Sequence, residues 1–211
     1  MALNLSAEQS GVQRVVLTVI ALWGLGVIAA VEFGLYQPIP RALIGPIIVA
    51  GAVLPFLAYR LLPRLRDYLE AVGIRRLTVF HTWRVLAVPV FLWYGATGRL
   101  PDVMAQDAAW GDLIAASFSL TLVFLPQRRA SYWLFHVVGF ADLVIAVGTG
   151  LAFTLMGDPR MGAIITLPLA LIPLYGVGIT AATHLIAFDL LMRDRGLGEA
   201  LTSSHGLVRH T

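Results

Sequence analysis

The stretch Val15–Tyr36, VVLTVIALWGLGVIAAVEFGLY, decides the fold. It holds a single ionisable residue, Glu32, near its far end. As a helix rising 1.5 Å per residue it spans roughly 33 Å, enough to cross the hydrocarbon core of a bilayer. A surface helix of a soluble domain would instead carry a polar stripe along its length. Five comparable runs follow: Ala42–Tyr59, introduced by Pro38-Ile39-Pro40, then Leu77–Thr97, Ala108–Pro126, Tyr132–Met156 and Met161–Leu191. The last is too long for one straight crossing and too short for two. Pro168 or Pro173 is therefore expected to kink it, or its first turn to lie outside the hydrocarbon. The reading is an all-α polytopic transmembrane helix bundle with about six crossings over residues 15–192 (15–36, 42–59, 77–97, 108–126, 132–156 and 161–191). A segment 1–14 precedes it, and a polar tail 193–211 carrying His205 and His210 follows.

Composition agrees. Of 211 residues 58% are apolar and 13% charged, about half the charged fraction of a soluble domain. The net charge of +3 comes from fifteen basic residues that are all arginine and sit mostly between apolar runs. That is the distribution of topology-setting charges, so no nucleic-acid partner is expected. With no lysine, a Schiff-base cofactor linkage is impossible. With no cysteine, disulfides, thiolate nucleophiles, iron–sulfur clusters and covalently attached haem are excluded, leaving His, Asp and Glu as metal ligands. The first apolar run is longer than a signal-peptide core and is followed by no convincing small-x-small cleavage site, so it is read as a retained crossing.

The arginines also set an expected orientation. With both termini in the cytoplasm, Arg14, Arg60, Arg64, Arg66, Arg75, Arg76, Arg128, Arg129, Arg193, Arg195 and Arg209 lie inside, and Arg41, Arg99 and Arg160 lie outside. Such a bias in short loops is a positive-inside signal and points to a bacterial inner membrane. Between crossings two and three, residues 61–76 place Leu61, Leu65, Tyr68, Leu69 and Val72 at helical spacing, with Arg64, Arg66, Asp67 and Glu70 on other faces. Two readings fit: an amphipathic helix on the inner leaflet, or a loop with an arginine cluster.

An ionisable side chain in hydrocarbon costs about 2.5–3.5 kcal/mol on insertion scales, so those that occur there are functional candidates. Counting from flanking arginines, His81 lies roughly 8 Å deep, Arg84 roughly 12 Å, His136 roughly 10 Å, His184 roughly 13 Å, and Asp142 near the middle. Crossings three, five and six thus contribute polar groups to one half of the bilayer. Arg84, Asp142 and His184 are the candidate substrate- or proton-binding residues, and depth allows an Asp142–His184 hydrogen bond. His81, His136 and His184 are the candidate haem or metal ligands. Structural alternatives stand beside these: Arg84 can snorkel, His81 and His136 can sit at the interface, and His184 can bond a backbone carbonyl. Asp112, behind Gly111 in the expected first turn of crossing four, reads as a helix cap paired with Arg99. Asp189 reads as solvated near the interface. The bonds freed by Pro168 and Pro173 fit either a packing kink or a cavity wall.

His81-Thr82-Trp83-Arg84 with Gly98-Arg99-Leu100-Pro101 and Gly111-Asp112, then Gly139-Phe140-Ala141-Asp142, then Pro168 and Pro173 with His184-Leu185 resemble a group of small, uncharacterised bacterial inner-membrane proteins with about six crossings. The likeness runs over residues 77–192 and implies topology, not activity. Three functions remain open at this point. One is a small-solute or proton-handling protein, permease-like or a sensor, working through Arg84, Asp142 and His184. Another is a b-type haem or metal-binding redox protein using His81 or His136 with His184. The third is an accessory subunit of a membrane complex, or a homo-oligomer, in which the polar cluster locks helix packing. An enzyme finds no support in motifs, since no HExxH pair and no Gly-x-Ser-x-Gly elbow occur.

Overall fold

The computed structural model describes residues 5–126 and 128–195, so His205 and His210 and most of the tail lie outside the described residues. Seven α-helices run in order: α1 (Ala7–Glu32), α2 (Ile44–Leu61), α3 (Pro63–Phe80), α4 (Ala87–Ala96), α5 (Asp102–Phe124), α6 (Arg129–Leu155) and α7 (Val177–Met192). Short 3-10 segments occupy Arg41–Leu43, His81–Leu86 and Pro159–Ile165, and a π turn occupies Ile172–Gly176. There is no strand among the described residues. Six helical stretches are long and apolar enough to cross a membrane: Ala7–Glu32, Arg41–Leu61, Pro63–Ala96, Asp102–Phe124, Arg129–Leu155 and Ile172–Met192.

Local chemistry explains the boundaries. Ser6 opens α1 with a capping box, its hydroxyl accepting from the Gln9 amide at 3.1 Å while the Gln9 side chain accepts from the Ser6 amide at 3.0 Å. Pro63 sits in the first turn of α3, where its missing N–H costs nothing. Inside α3, Gly73 adopts φ 78°, a left-handed geometry that puts a kink between residues 63–72 and 74–80. Residues 61–76 are therefore helical almost throughout. Leu65, Leu69 and Val72 pack beside the buried cluster of Tyr59, Leu77, Ile186 and Leu190, and Arg64 meets Glu8 of α1 at 2.9 Å on the surface.

The run from Met161 to Leu191 is not one helix. Its first part is the 3-10 segment Pro159–Ile165, held by Asp158, which accepts from the Arg160 amide at 2.9 Å. The Arg160 guanidinium beside Asp158 holds that carboxyl below its ordinary range. A turn through Pro168 and the π turn around Pro173 then lead into α7. A proline cannot donate to the preceding turn and crowds it, which is why regular α-geometry begins only after Gly176.

Burial ranks the helices. In its most apolar window the Ile172–Met192 stretch is 67% buried and α1 only 6%, so α7 forms the centre and α1 the periphery. Around α7 stand α2, α6 and α3, while α5 packs on α4, on His81–Leu86 and on α6. The buried face of α5 is built from small residues: Ala105, Ala108, Ala109, Ala115, Ala116 and Ser119. Small side chains let backbones approach closely where lipid offers no hydrophobic drive between helices. A methyl group on Gly95 of α4 would stand 2.8 Å from the Ala105 methyl.

One polar tie joins α2 to α7. Asp189 is 4% exposed, not solvated as its position suggested, because three partners surround it. The Tyr59 hydroxyl donates to it at 2.6 Å, Arg60 at 2.5 Å, and Arg193 at 3.0 Å. Removing one donor to a buried charge costs about 1.5–3 kcal/mol. Tyr59→Phe is accordingly expected to lower the thermal unfolding midpoint in detergent. An unchanged midpoint would show that the arginines alone satisfy Asp189.

Candidate functional site

The site begins in the 3-10 segment His81–Leu86. With three residues per turn, side chains at i and i+3 eclipse, so His81 and Arg84 lie in line on one side. Burial follows the same period: His81, Arg84 and Ala87 are buried, and Val85 and Leu86 are exposed. The structure thus places both polar residues in the bundle interior, at 0% and 1% exposure.

Arg84 is clamped between two carboxylates from two helices. Its Nε donates to Asp112 Oδ1 of α5 at 2.5 Å, and its Nη2 donates to Asp142 Oδ2 of α6. The Asp112 side chain is 10% exposed and that of Asp142 20%. The fork geometry of a guanidinium suits such a two-sided grip, which a lysine could not reproduce. Asp112 is the residue that sequence reasoning misassigned. Its helix starts at Asp102, not Ala108, so it lies ten residues in and faces the interior. Arg99, its expected partner, stacks instead over Trp93 and Tyr94, 5.0 and 5.9 Å from their ring centroids. The signal was present in the spacing: Asp112 continues the small-residue stripe of Ala105, Ala108 and Ala109 before it and Ala115, Ala116 and Ser119 after it.

Beside this clamp, His81, His136 of α6 and His184 of α7 converge, each with 0% exposure. One ring nitrogen from each lies within 4.8 Å of the others. His136 Nδ1 and His184 Nδ1 are 2.8 Å apart, and the His81 and His184 ring centroids 4.0 Å apart. Threonine hydroxyls hold the outer nitrogens. Thr183 Oγ1 donates its one hydrogen to the Thr180 carbonyl at 2.7 Å, so at 3.2 Å from His81 Nε2 it accepts. That fixes His81 with its proton on Nε2 and a lone pair on Nδ1. This lone pair is buried and has no partner, as is His184 Nε2. Thr78 Oγ1 stands 3.1 Å from His136 Nε2 and is hydrogen-bonded to it.

The expected Asp142–His184 bond is not formed, because Arg84 takes Asp142 and His136 takes His184. The two clusters nonetheless touch one floor. A methyl on Gly139 would come 2.7 Å from His184 Cε1, 3.0 Å from its Nε2 and 3.8 Å from Arg84 Nη1, a buried donor without a partner. A methyl on Gly111 would collide with the Asp142 carboxylate.

Chemically, the arrangement offers a compact nest of three imidazoles, two of which, His81 and His136, have their Nε2 oriented by a threonine hydroxyl, while His184 is oriented through its Nδ1 contact with His136; second-nitrogen partners of this kind orient metal-ligating histidines. It does not suit the haem suggested for His81 or His136 with His184. The rings contact each other directly, and a porphyrin would have to pass between them. Gly111→Val is expected to displace Asp142 from Arg84 and destabilise the bundle by about 1–3 kcal/mol. Gly148→Ala, at a glycine with open space around it, is expected to leave the unfolding midpoint unchanged. Equal behaviour of the two variants would remove the tight α5–α6 contact from the account.

Comparison with known proteins bears on the region that holds these residues. No curated protein and no solved structure matches the chain. Residues 42–192 match a domain of unknown function (DUF8737), a span that leaves out α1 and includes every residue of the two clusters. The chain therefore belongs to the DUF8737 family.

Proposed function

We propose that this is an integral membrane protein that holds a transition-metal ion on His81, His136 and His184. The observation that carries the reading is the meeting of three fully buried imidazoles from three segments, with donor nitrogens within 4.8 Å of one another. Buried histidines ordinarily satisfy both nitrogens, whereas His81 Nδ1 and His184 Nε2 have no partner among the described residues. Imidazole suits zinc, copper, iron and nickel, and nothing harder than nitrogen is offered. Thr78 and Thr183 occupy the Nε2 atoms of His136 and His81, so their Nδ1 atoms face the nest, and an ion there would replace the His136 Nδ1–His184 Nδ1 contact.

Elemental analysis tests this. With His205 and His210 replaced by alanine and a histidine-free tag, the protein purified in detergent is expected to carry, or to take up on dialysis, about one first-row ion per chain. His136→Ala and His184→Ala should each abolish that uptake while circular dichroism retains the helical content. Failure of the unsubstituted site to bind zinc, copper, nickel or iron would overturn the proposal.

A second reading has its own support. Arg84 faces two carboxylates, so the clamp holds an excess of one negative charge if both are ionised. Such groups inside apolar bundles mark cation or proton paths. In this reading Arg84 and Asp142, with His184 alongside, handle a proton or small solute. In reconstituted vesicles a proton-linked flux is expected to vanish in Asp142→Asn and persist in Asp189→Asn. Equal flux in both variants would exclude it.

The arginine distribution supports cytoplasmic termini in a bacterial inner membrane. The chain lacks cysteine, so single substitutions report cleanly. Ser6→Cys is expected to label only from the cytoplasmic side and Gly157→Cys only from the opposite side. The reverse pattern would invert the topology.

A further inference from the structure

We infer that the histidine nest is built for a monovalent, three-coordinate ion, cuprous copper, in preference to zinc. The inference rests on the metal-ion reading above and adds the identity of the ion. Two independent features lead to it.

The first is coordination number. Three rings supply the nest, and no fourth His, Asp or Glu joins it among the described residues. The carboxylates of Asp112 and Asp142 are held by Arg84, and the hydroxyls of Thr183 and Thr78 are bonded to Nε2 of His81 and His136. Aromatic rings close the surroundings: Phe80 and Phe135 pack on His81, Phe188 on His136 and Phe140 on His184. A zinc site with three protein ligands completes its tetrahedron with water or substrate, which needs an open side. Cuprous copper, with a filled d shell and a single charge, is content with three nitrogens and no water.

The second is charge. Three neutral imidazoles contribute none, and Arg84 with Asp112 and Asp142 contributes one negative charge when both carboxylates are ionised. The clamp is adjacent, since Arg84 Nη1 and His184 Nε2 both approach Gly139. In a bundle of low dielectric an uncompensated charge is expensive. A monovalent ion brings the whole group to neutrality, whereas a divalent one leaves it positive with no further acid among the residues of the nest.

Anaerobic competition decides the matter. Cuprous ion is supplied from a chromophoric cuprous chelator, and zinc from a zinc-sensitive dye, to the full chain lacking His205 and His210. One cuprous ion per chain is expected, bound at least about 100-fold more tightly than zinc. His81→Gln should abolish it. Asp142→Asn, which removes one neighbouring negative charge, should weaken cuprous binding about tenfold. Zinc binding as tight as copper, or a copper affinity indifferent to Asp142→Asn, would overturn the inference while leaving a histidine metal site in place. Binding of neither ion would overturn the metal-ion reading itself.

Discussion

A guanidinium with 1% exposure inside a bundle of apolar helices is the constraint on which the rest depends. Arg84 cannot remain there unpaired, because the desolvation of an isolated charge exceeds what the packing of one helix returns. Its two carboxylates come from α5 and α6. The clamp therefore dictates how the His81–Leu86 segment, α5 and α6 stand to one another. The small-residue face of α5 and the bare backbones of Gly111 and Gly139 follow from it, since each lets a helix approach near enough to complete the contact. A buried ion pair is weak evidence of net stability. Its effect here is to select one register of three segments over the many that apolar packing alone would tolerate.

The irregular elements serve the same end. A continuous α-helix from Pro63 to Ala96 would set His81 and Arg84 about 60° apart around its axis and spread their buried face over a wider arc. Changing to three residues per turn over His81–Leu86 lines them up and delivers both side chains to the interior. On the opposite side, the π turn Ile172–Gly176 presents Gly176 to the Trp83 ring, where any side chain would collide. Trp83 Nε1 in turn donates to Thr180 Oγ1 at 3.1 Å, one turn before His184. Departures from α-geometry in both strands of the bundle thus converge on the residues between His81 and Arg84.

Much of this was legible in the sequence, and the failures have physical causes. Apolar runs of crossing length reveal themselves by composition, and ionisable residues within them stand out because insertion disfavours them. Arg84, Asp142, His184, His81 and His136 were all visible on that ground. What depth counting could not supply was the angle at which each helix faces its neighbours. Depth counting allowed Asp142 to meet His184, but Asp142 accepts from Arg84 and His184 pairs with His136. Asp112 was hidden by a boundary: the polar residues Asp102, Gln106 and Asp107 masked the helix start, and six residues of error moved it by roughly 9 Å. Asp189 was misjudged for the converse reason. It does lie near the end of its helix, yet Tyr59, Arg60 and Arg193 close over it.

The two polar clusters form one mechanical unit, because a single turn of chain feeds both. His81 and Arg84 are fixed to one another by three bonds' worth of backbone dihedral pairs, so neither can shift without the other. Asp112 and Asp142 hold the arginine between them, while Thr183 and the His184 ring engage the histidine. α6 contributes to both through His136 and Asp142, six residues apart and facing different partners, with Gly139 between them under His184. The nest and the clamp are therefore joined by two covalent routes, His81 to Arg84 along the 3-10 segment and His136 to Asp142 along α6. Contacts run from Thr78 through His136 and His184 to His81, and the 3-10 segment carries the chain on from His81 to Arg84 and its two carboxylates.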